Sequence, residues 1–148
     1  MTTKQFTITR TFDAPRDALW RAWTDPALAA RWWHPHEVTT PADSVKIDLR
    51  VGGGYEYLMI APDGTHYPTA GRYLEIDEPE HLKFSWGSTD DPDASIATVD
   101  LTEPEPGRTT MVFKLDGEFA PADDVQEGWS EAFEVLTTEL PSLVGRLG

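Results

Sequence analysis

The stretch GWSEAFEVLTTEL (residues 128–140) decides the fold. Its large apolar side chains, Trp129, Phe133, Leu136 and Leu140, recur every three or four residues. This spacing predicts an α-helix with one apolar stripe, because residues three and four apart share a helix face. The remaining faces are polar or acidic, so the stripe must pack against an apolar partner elsewhere in the chain.

That partner is predicted to be an antiparallel sheet. The segment QFTITRTF (5–12) alternates apolar and polar residues, as a half-buried strand does. Six further strand-like runs follow between residues 45 and 115: VKIDLRV, YEYLMIA, HYPTAGRYLEI, HLKFSW, IATVDLT and TTMVFKL. Clusters of Gly, Pro and Asp separate them and predict turns. The triple glycine at 52–54 lacks the Lys-Ser/Thr of a phosphate loop and is predicted to be a turn or bulge.

Two short helices are predicted between the first strand and the later ones. DAPRDALWRAW (13–23) changes to helical spacing, with Pro15 at a position that suits a first helical turn. Asp25 and Pro26 are predicted to be the N-cap and first residue of a second helix. The predicted order is one strand, two short helices, six strands and one long helix that Pro141 ends or kinks. This order defines an α+β fold.

The composition narrows the class of protein. The 148 residues fit one domain (1–148) and include no cysteine, which excludes thiolate catalysis and sulfur-ligated zinc. The N-terminal segment lacks the pattern of a signal peptide, and no run reaches the roughly 18 apolar residues of a membrane helix. We therefore expect a cytoplasmic protein without membrane insertion. The net charge of −14 argues against nucleic-acid binding, because phosphates require clustered cations.

A resemblance to a known family rests on five parts of the sequence: TRTFDAPRDALWRAWTDP (9–26), ARWWHP (30–35), DLRVGGGYEY (48–57), PDG with GRYLEIDEPEHLKFSW (62–86) and GWSEAFEVLTTEL (128–140). On these segments the chain resembles the START-like superfamily, also called SRPBCC or helix-grip proteins. Within it, the chain is similar to the AHSA-type branch, which is related to the activator of heat-shock protein 90 ATPase. The resemblance implies a curved antiparallel sheet of six or seven strands wrapped around the C-terminal helix, with a cavity between them.

Aromatic side chains are the main candidates for lining such a cavity. If the alternation holds, the sheet and the long helix turn these side chains toward each other: Tyr55, Tyr57, Tyr73, Phe84, Trp86, Met111, Phe113, Trp129, Phe133 and Leu136. Trp32 is a further candidate for the core or the cavity. Core packing is the alternative for each of them, although buried tyrosines need partners for their hydroxyl groups and so indicate some polarity.

Arg10 is the charged residue of interest on the first strand. It alternates with Phe6, Ile8 and Phe12 and so shares their inward face. A buried guanidinium must be paired, since an unpaired buried charge is very unfavourable. Arg10 is therefore ion-paired, placed at the sheet rim with its tip in water, or an anchor for an anion or carbonyl group of a ligand.

Two histidines flank a proline in RWWHPHE (31–37). In an extended segment His34 and His36 would point the same way, roughly 6.6 Å apart, but zinc requires three or four ligands. We predict no metal site and no cofactor. The histidines are interpreted as a solvated helix end or as an acid–base group at a pocket mouth. The family that the chain resembles usually has the sequence W-W-G-P at this point, and in this chain His34 replaces the glycine.

Three functions fit these observations. The leading hypothesis is a protein that binds a small apolar or aromatic molecule between the sheet and the C-terminal helix. The second is an enzyme of the cyclase or hydrolase type in the same cavity, with a histidine or tyrosine as acid–base group. The third, which only the resemblance suggests, is an interaction module linked to a chaperone. A homodimer is compatible with each of them.

Overall fold

The computed structural model describes residues 4–34, 37–88, 95–117 and 122–147. Within these ranges the elements are, in chain order, β1 (Lys4–Phe12), α1 (Arg16–Thr24), α2 (Pro26–Ala29), a 3-10 helix (Ala42–Ser44), β2 (Lys46–Ile47), β3 (Gly54–Ile60), β4 (His66–Asp77), β5 (His81–Ser88), β6 (Ser95–Glu105), β7 (Arg108–Gly117) and α3 (Ala122–Leu147). The predicted α+β class and order of elements are confirmed. None of the helices in these ranges is long and apolar enough to cross a membrane.

The seven strands form one antiparallel sheet in the order β1-β7-β6-β5-β4-β3-β2. From β2 to β7 each strand pairs with the next one along the chain, which makes a meander. The first strand joins the far edge by pairing with β7, from Lys4 opposite Gly117 to Phe12 opposite Thr109. Helix α3 packs against β1 and α1. The apolar stripe of α3 is thus covered by the sheet and by the first helix.

The core lies between the sheet and the helices, and its aromatic rings centre on Trp23 of α1. The ring of Trp23 contacts that of Trp32 at a centroid distance of 4.6 Å, that of Phe113 at 6.0 Å and that of Phe133 at 6.2 Å. Its indole N–H donates a hydrogen bond to the sulfur of Met111 at 3.4 Å. The inward face of β7 and the stripe of α3 therefore meet around one buried tryptophan.

The junction between α1 and α2 follows the predicted capping chemistry. Asp25 is extended, and its carboxylate accepts hydrogen bonds from the backbone N–H groups of Ala27 at 2.9 Å and Leu28 at 3.4 Å. Pro26 occupies the first turn, where the helix needs no N–H donor. Helix α2 has only four residues, and hydrogen-bonded turns carry the chain on to Trp33.

The extent of one predicted strand differs from the structure, and one of the two alternatives for Pro141 is excluded. The predicted strand over residues 45–51 is reduced to Lys46–Ile47, because the chain turns at Gly52, whose φ of 86° is open to glycine. The predicted turn at the three glycines is confirmed there. Pro141 does not end α3, which continues to Leu147. A proline inside a helix removes one hydrogen bond of the ladder, and the turns beyond it form again.

Candidate functional site

A cavity of ≈ 170 Å³ lies between the sheet and the first half of α3. It is lined by Trp33, His34, Tyr57, Met59, Trp86, Val125, Gly128, Trp129 and Ala132. An engineered cavity of about 150 Å³ in another protein is large enough to hold benzene. The space therefore has the size of one aromatic ring with a small substituent.

The space exists because α3 carries small side chains at this level. Gly128 and Ala132 are four residues apart and so lie on the same face of the helix. Both line the cavity, together with Tyr57 from β3 and Trp86 from β5. One residue after Ala132, the large ring of Phe133 is fully buried in the core. The size of the α3 side chains thus decides where the interface stays open.

Four aromatic rings form much of the cavity wall: Trp33, Tyr57, Trp86 and Trp129. Trp33 packs on Tyr57 with 4.8 Å between centroids, and Trp86 meets Trp129 nearly edge-on at 5.5 Å. The same four residues also line a much tighter pocket of ≈ 10 Å³. Such a volume is at the limit for a single water molecule, so this tight pocket is part of the packed core.

The phenol groups at and near the cavity are neutral. Tyr57 accepts a hydrogen bond from the indole N–H of Trp86 at 3.2 Å, and burial raises the pKa of Tyr57 to about 12. Tyr55 donates to the backbone carbonyl of Ser85 at 2.7 Å, and burial raises the pKa of Tyr55 well above its usual value. Burial also raises the pKa of Tyr73. None of these phenols is available as a general base near neutral pH.

The structure divides the predicted candidates into three groups. Those that line the cavity are Tyr57, Trp86 and Trp129. Those that line the tight pocket beside it are Tyr55, Tyr73 and Phe84. The other apolar candidates are buried in the core and line neither space: Trp32, Met111, Phe113, Phe133 and Leu136. A ligand-binding role stays a prediction for all of these residues, and the first group borders the larger cavity.

Arg10 lies on the edge strand of the sheet and is not among the residues that line the cavity. Its backbone is opposite Met111 of β7, its side chain is partly exposed, and its guanidinium donates to the backbone carbonyl of Thr9 at 3.2 Å. The long aliphatic part of an arginine lets its charged tip reach water from an inward-facing position. Of the alternatives drawn from the sequence, placement at the sheet rim fits this arrangement.

Six lining residues were not in the predicted ligand-binding set: Trp33, His34, Met59, Val125, Gly128 and Ala132. Of these, His34 is assigned from the sequence, as one of two alternatives, to an acid–base group at a pocket mouth. Two signals in the sequence point to half of this set. Met59 continues the strand alternation of Tyr57, and Gly128 with Ala132 places two small residues on one face of a helix. Trp33 and His34 follow the end of α2, where no periodicity predicts the direction of a side chain.

The histidine pair is only partly described by the structure. His36 lies outside the described residues, whereas His34 is partly exposed and lines the cavity. The backbone N–H of His34 donates to the carbonyl of Trp32 at 2.7 Å, which closes the turn after α2. Within the described ranges, no three His, Cys, Asp or Glu side chains are grouped so that they could hold a metal ion. The imidazole of His34 is thus placed at the edge of an aromatic cavity.

Solved structures with the same fold support this architecture. A protein from Chromobacterium violaceum is 25% identical, with a TM-score of 0.80 over 91% of this chain and 96% of that one. A protein from Arthrobacter aurescens is 29% identical, with a TM-score of 0.79 over 93% of this chain and 86% of that one. An AHSA1-like protein from Aeromonas hydrophila is 26% identical, with a TM-score of 0.77 over 95% of each chain.

The sequence itself matches a family profile. The family described as activator of Hsp90 ATPase homolog 1-like protein matches residues 13–140. No curated protein matches the chain. The resemblance to the AHSA-type branch of the START-like superfamily is confirmed by this match and by the solved structures. Because the profile spans most of its length, the chain belongs to the activator of Hsp90 ATPase homolog 1-like family.

Proposed function

We propose that this protein binds a small apolar or aromatic molecule in the cavity beneath the first half of α3. The observation that carries the proposal is the cavity of ≈ 170 Å³ with four aromatic rings in its wall. Protein interiors are otherwise close-packed, so an apolar recess of this size leaves the side chains of its wall without packing partners. A ligand in the cavity supplies the contacts that its lining lacks.

The lining also favours one class of ligand. Aromatic rings attract a further ring in stacked or edge-on geometry by about 0.5–1.5 kcal/mol beyond the burial of its area. The lysine, arginine and carboxylate side chains of the described residues lie outside the lining, which favours an uncharged ligand. For a one-ring ligand of about eight heavy atoms we expect a dissociation constant of about 10 µM to 1 mM.

A pair of variants on α3 tests the proposal with ethylbenzene as the probe. Gly128→Leu places a branched side chain in the cavity and should weaken ethylbenzene binding at least about 10-fold, as measured by ligand-detected NMR. Gln126→Leu adds the same side chain at an exposed position of the same helix and should leave the affinity unchanged. The proposal fails if ethylbenzene binds to neither the wild type nor the control, or binds equally to Gly128→Leu.

An acid–base enzyme in the same cavity is the second candidate, because an imidazole lines the space. The raised pKa of Tyr57 keeps its phenol neutral, and His34 contributes the imidazole among the described lining residues. We expect His34→Gln to bind ethylbenzene like the wild type but to lose any hydrolysis of small aryl esters. Equal hydrolysis by the wild type and His34→Gln, or none by either, would remove this candidate.

The exposed apolar side chains favour a macromolecular partner less than the cavity favours a small molecule. The exposed large apolar side chains among the described residues are Leu49, Val51, Tyr67, Leu74 and Val112. They come from the loop after β2, from β4 and from β7, rather than from one element. Association with a chaperone, which the family name suggests, therefore ranks below ligand binding in our proposal.

A further inference from the structure

Most of the polar atoms in the lining of the cavity are out of reach of a ligand. The hydrogen-bonding side chains in the lining are those of Trp33, His34, Tyr57, Trp86 and Trp129. The indole nitrogens of Trp33 and Trp129 are fully buried, so a bound molecule contacts the carbon atoms of these two rings and not their N–H groups. Two of the four aromatic rings of the wall therefore present only carbon to a ligand.

A chain of hydrogen bonds occupies the polar groups of the other two rings. The indole N–H of Trp86 donates to the hydroxyl of Tyr57 at 3.2 Å. This hydroxyl is also hydrogen-bonded to Thr69, which lies opposite Tyr57 on β4. Thr69 is buried and donates its own proton to the backbone carbonyl of Tyr67 at 3.3 Å. Because a hydroxyl has one proton, Tyr57 donates to Thr69, and neither Tyr57 nor Trp86 has a donor left for a ligand.

The rest of the lining consists of apolar groups and one imidazole. Met59, Val125, Gly128 and Ala132 offer a ligand no polar side chain except the thioether, which is a weak acceptor. The imidazole of His34 is partly exposed at the edge of the cavity. A polar group that enters the cavity therefore loses its hydration and gains no hydrogen bond from the aromatic wall, which is unfavourable.

We propose that the part of the ligand inside the cavity is a hydrocarbon without a hydrogen-bonding group, and that the cavity rejects phenols and ketones of the same shape. This inference rests on the proposed function and narrows its class of ligand. A benzene ring with a short alkyl substituent fits the volume of ≈ 170 Å³. Tyr57 determines the specificity, because it occupies the N–H of Trp86 while it donates its own proton to Thr69.

Two pairs of probes test this specificity on the wild-type protein. α-Methylstyrene has a CH₂ group where acetophenone has its carbonyl oxygen, and toluene has a methyl group where phenol has its hydroxyl. In both pairs the hydrocarbon should bind at least about 10-fold more tightly, as measured by ligand-detected NMR. A smaller preference in either pair overturns the hydrocarbon inference and leaves the proposed function standing. Binding of none of the four probes overturns both proposals.

Variants at Met59 connect the preference to the wall of the cavity. Met59→Gln puts an amide of nearly the same size into the lining, so the preference for toluene over phenol should fall about 3- to 10-fold. Met59→Leu is the matched control, because it keeps the lining apolar and should leave the preference unchanged. Equal preferences in the two variants would overturn the inference, since the polarity of the lining would then not select the ligand.

A variant at Tyr57 distinguishes a hydroxyl that is occupied within the protein from one that serves the ligand. Tyr57→Phe removes the hydroxyl and frees the N–H of Trp86. The preference for α-methylstyrene over acetophenone should therefore stay the same or fall, by up to about 10-fold. A rise in this preference would show that the hydroxyl of Tyr57 binds the carbonyl of the ligand, and it would overturn the inference.

Discussion

The interface between α3 and the sheet has two unlike ends. At the packed end, Phe133 and Leu136 of α3 are fully buried, and the ring of Phe133 lies 5.2 Å from that of Phe113 on β7. At the open end, Gly128 and Ala132 of the same helix border a cavity of ≈ 170 Å³. Both ends use inward-facing residues of one helix against one sheet.

The difference lies in side-chain size along α3. Aromatic rings from the sheet and from Trp129 of α3 are present at the open end too, and the space remains where Gly128 and Ala132 border it. A packed core and an open cavity are therefore neighbours on the same two elements. The packed end holds the fold together, which allows the open end to remain unfilled.

The largest expected effect comes from opening the packed end. Phe133→Ala should lower the free energy of unfolding by about 3–5 kcal/mol, because the ring is fully buried among other rings and the site has no room to collapse. Urea denaturation monitored by tryptophan fluorescence measures the change. A loss below about 1 kcal/mol would show that the two ends are packed alike.

Two tyrosines on β3 extend the comparison to hydrogen bonds. Tyr55→Phe removes a buried bond of 2.7 Å to the carbonyl of Ser85, and we expect a loss of about 1–2 kcal/mol. Tyr57→Phe removes the acceptor of Trp86, which is partly exposed beside the cavity, so water can replace it and the loss should be about 0.5–1 kcal/mol. Urea denaturation of both variants tests the order, and a larger loss for Tyr57→Phe would contradict it.

The outline of the fold was predictable because its signals are local. Alternation in β5 and β7 turned Phe84 and Phe113 inward, and both are buried. The capping pair at Asp25 and Pro26 placed the start of α2 correctly. Burial of apolar residues and capping act on each element separately, so short stretches of sequence contain the information. The extent of β2 was not predictable, since strand pairing competes with the turn at Gly52.

The cavity could not be predicted in the same way. The alternation of apolar and polar residues along a strand predicts which side of the sheet a side chain lies on. It does not predict which residues that side chain contacts. Tyr57 and Phe113 both turn inward, yet Tyr57 borders the cavity and Phe113 is fully packed. The outcome depends on whether Gly128 or Phe133 of α3 lies opposite, and the position of a helix over a sheet is a tertiary property.

The glycine at the open end gives a third prediction. Gly128→Ala should raise the free energy of unfolding by about 0.5–1 kcal/mol, because alanine favours the helix and the cavity has room for one methyl group. The same methyl group should weaken ethylbenzene binding about 2- to 5-fold by narrowing the space. Thermal unfolding and NMR titration measure the two changes. Destabilisation instead would mean that Gly128 is closely packed, like the residues of the other end.

The outer face of the sheet holds a charged network that belongs to neither end. One ring nitrogen of His81 lies 2.6 Å from Asp100 on β6, and the other lies 2.8 Å from Glu75 on β4, which Lys83 also approaches at 3.6 Å. A neutral imidazole has one N–H, so satisfying both carboxylates requires the imidazolium. The hydrogen bond to Asp100 chiefly raises the pKa of His81, with Glu75 adding to it, and the bond from His81 lowers the pKa of Glu75.

The smallest predicted effect is a dependence of stability on pH that leaves the cavity untouched. Because the pKa of His81 is raised on folding, its stabilisation is complete below the unfolded value near 6.5 and is lost as pH rises through the folded value. Between about pH 6 and pH 9 the wild type should therefore lose about 0.5–1 kcal/mol more stability than His81→Gln. Urea denaturation at several pH values measures this difference, and ethylbenzene should bind both proteins equally. If the free energies of unfolding of the wild type and His81→Gln change equally with pH, the charges around His81 do not contribute to stability. A difference in ethylbenzene affinity between the two proteins would show that the outer face of the sheet influences the cavity.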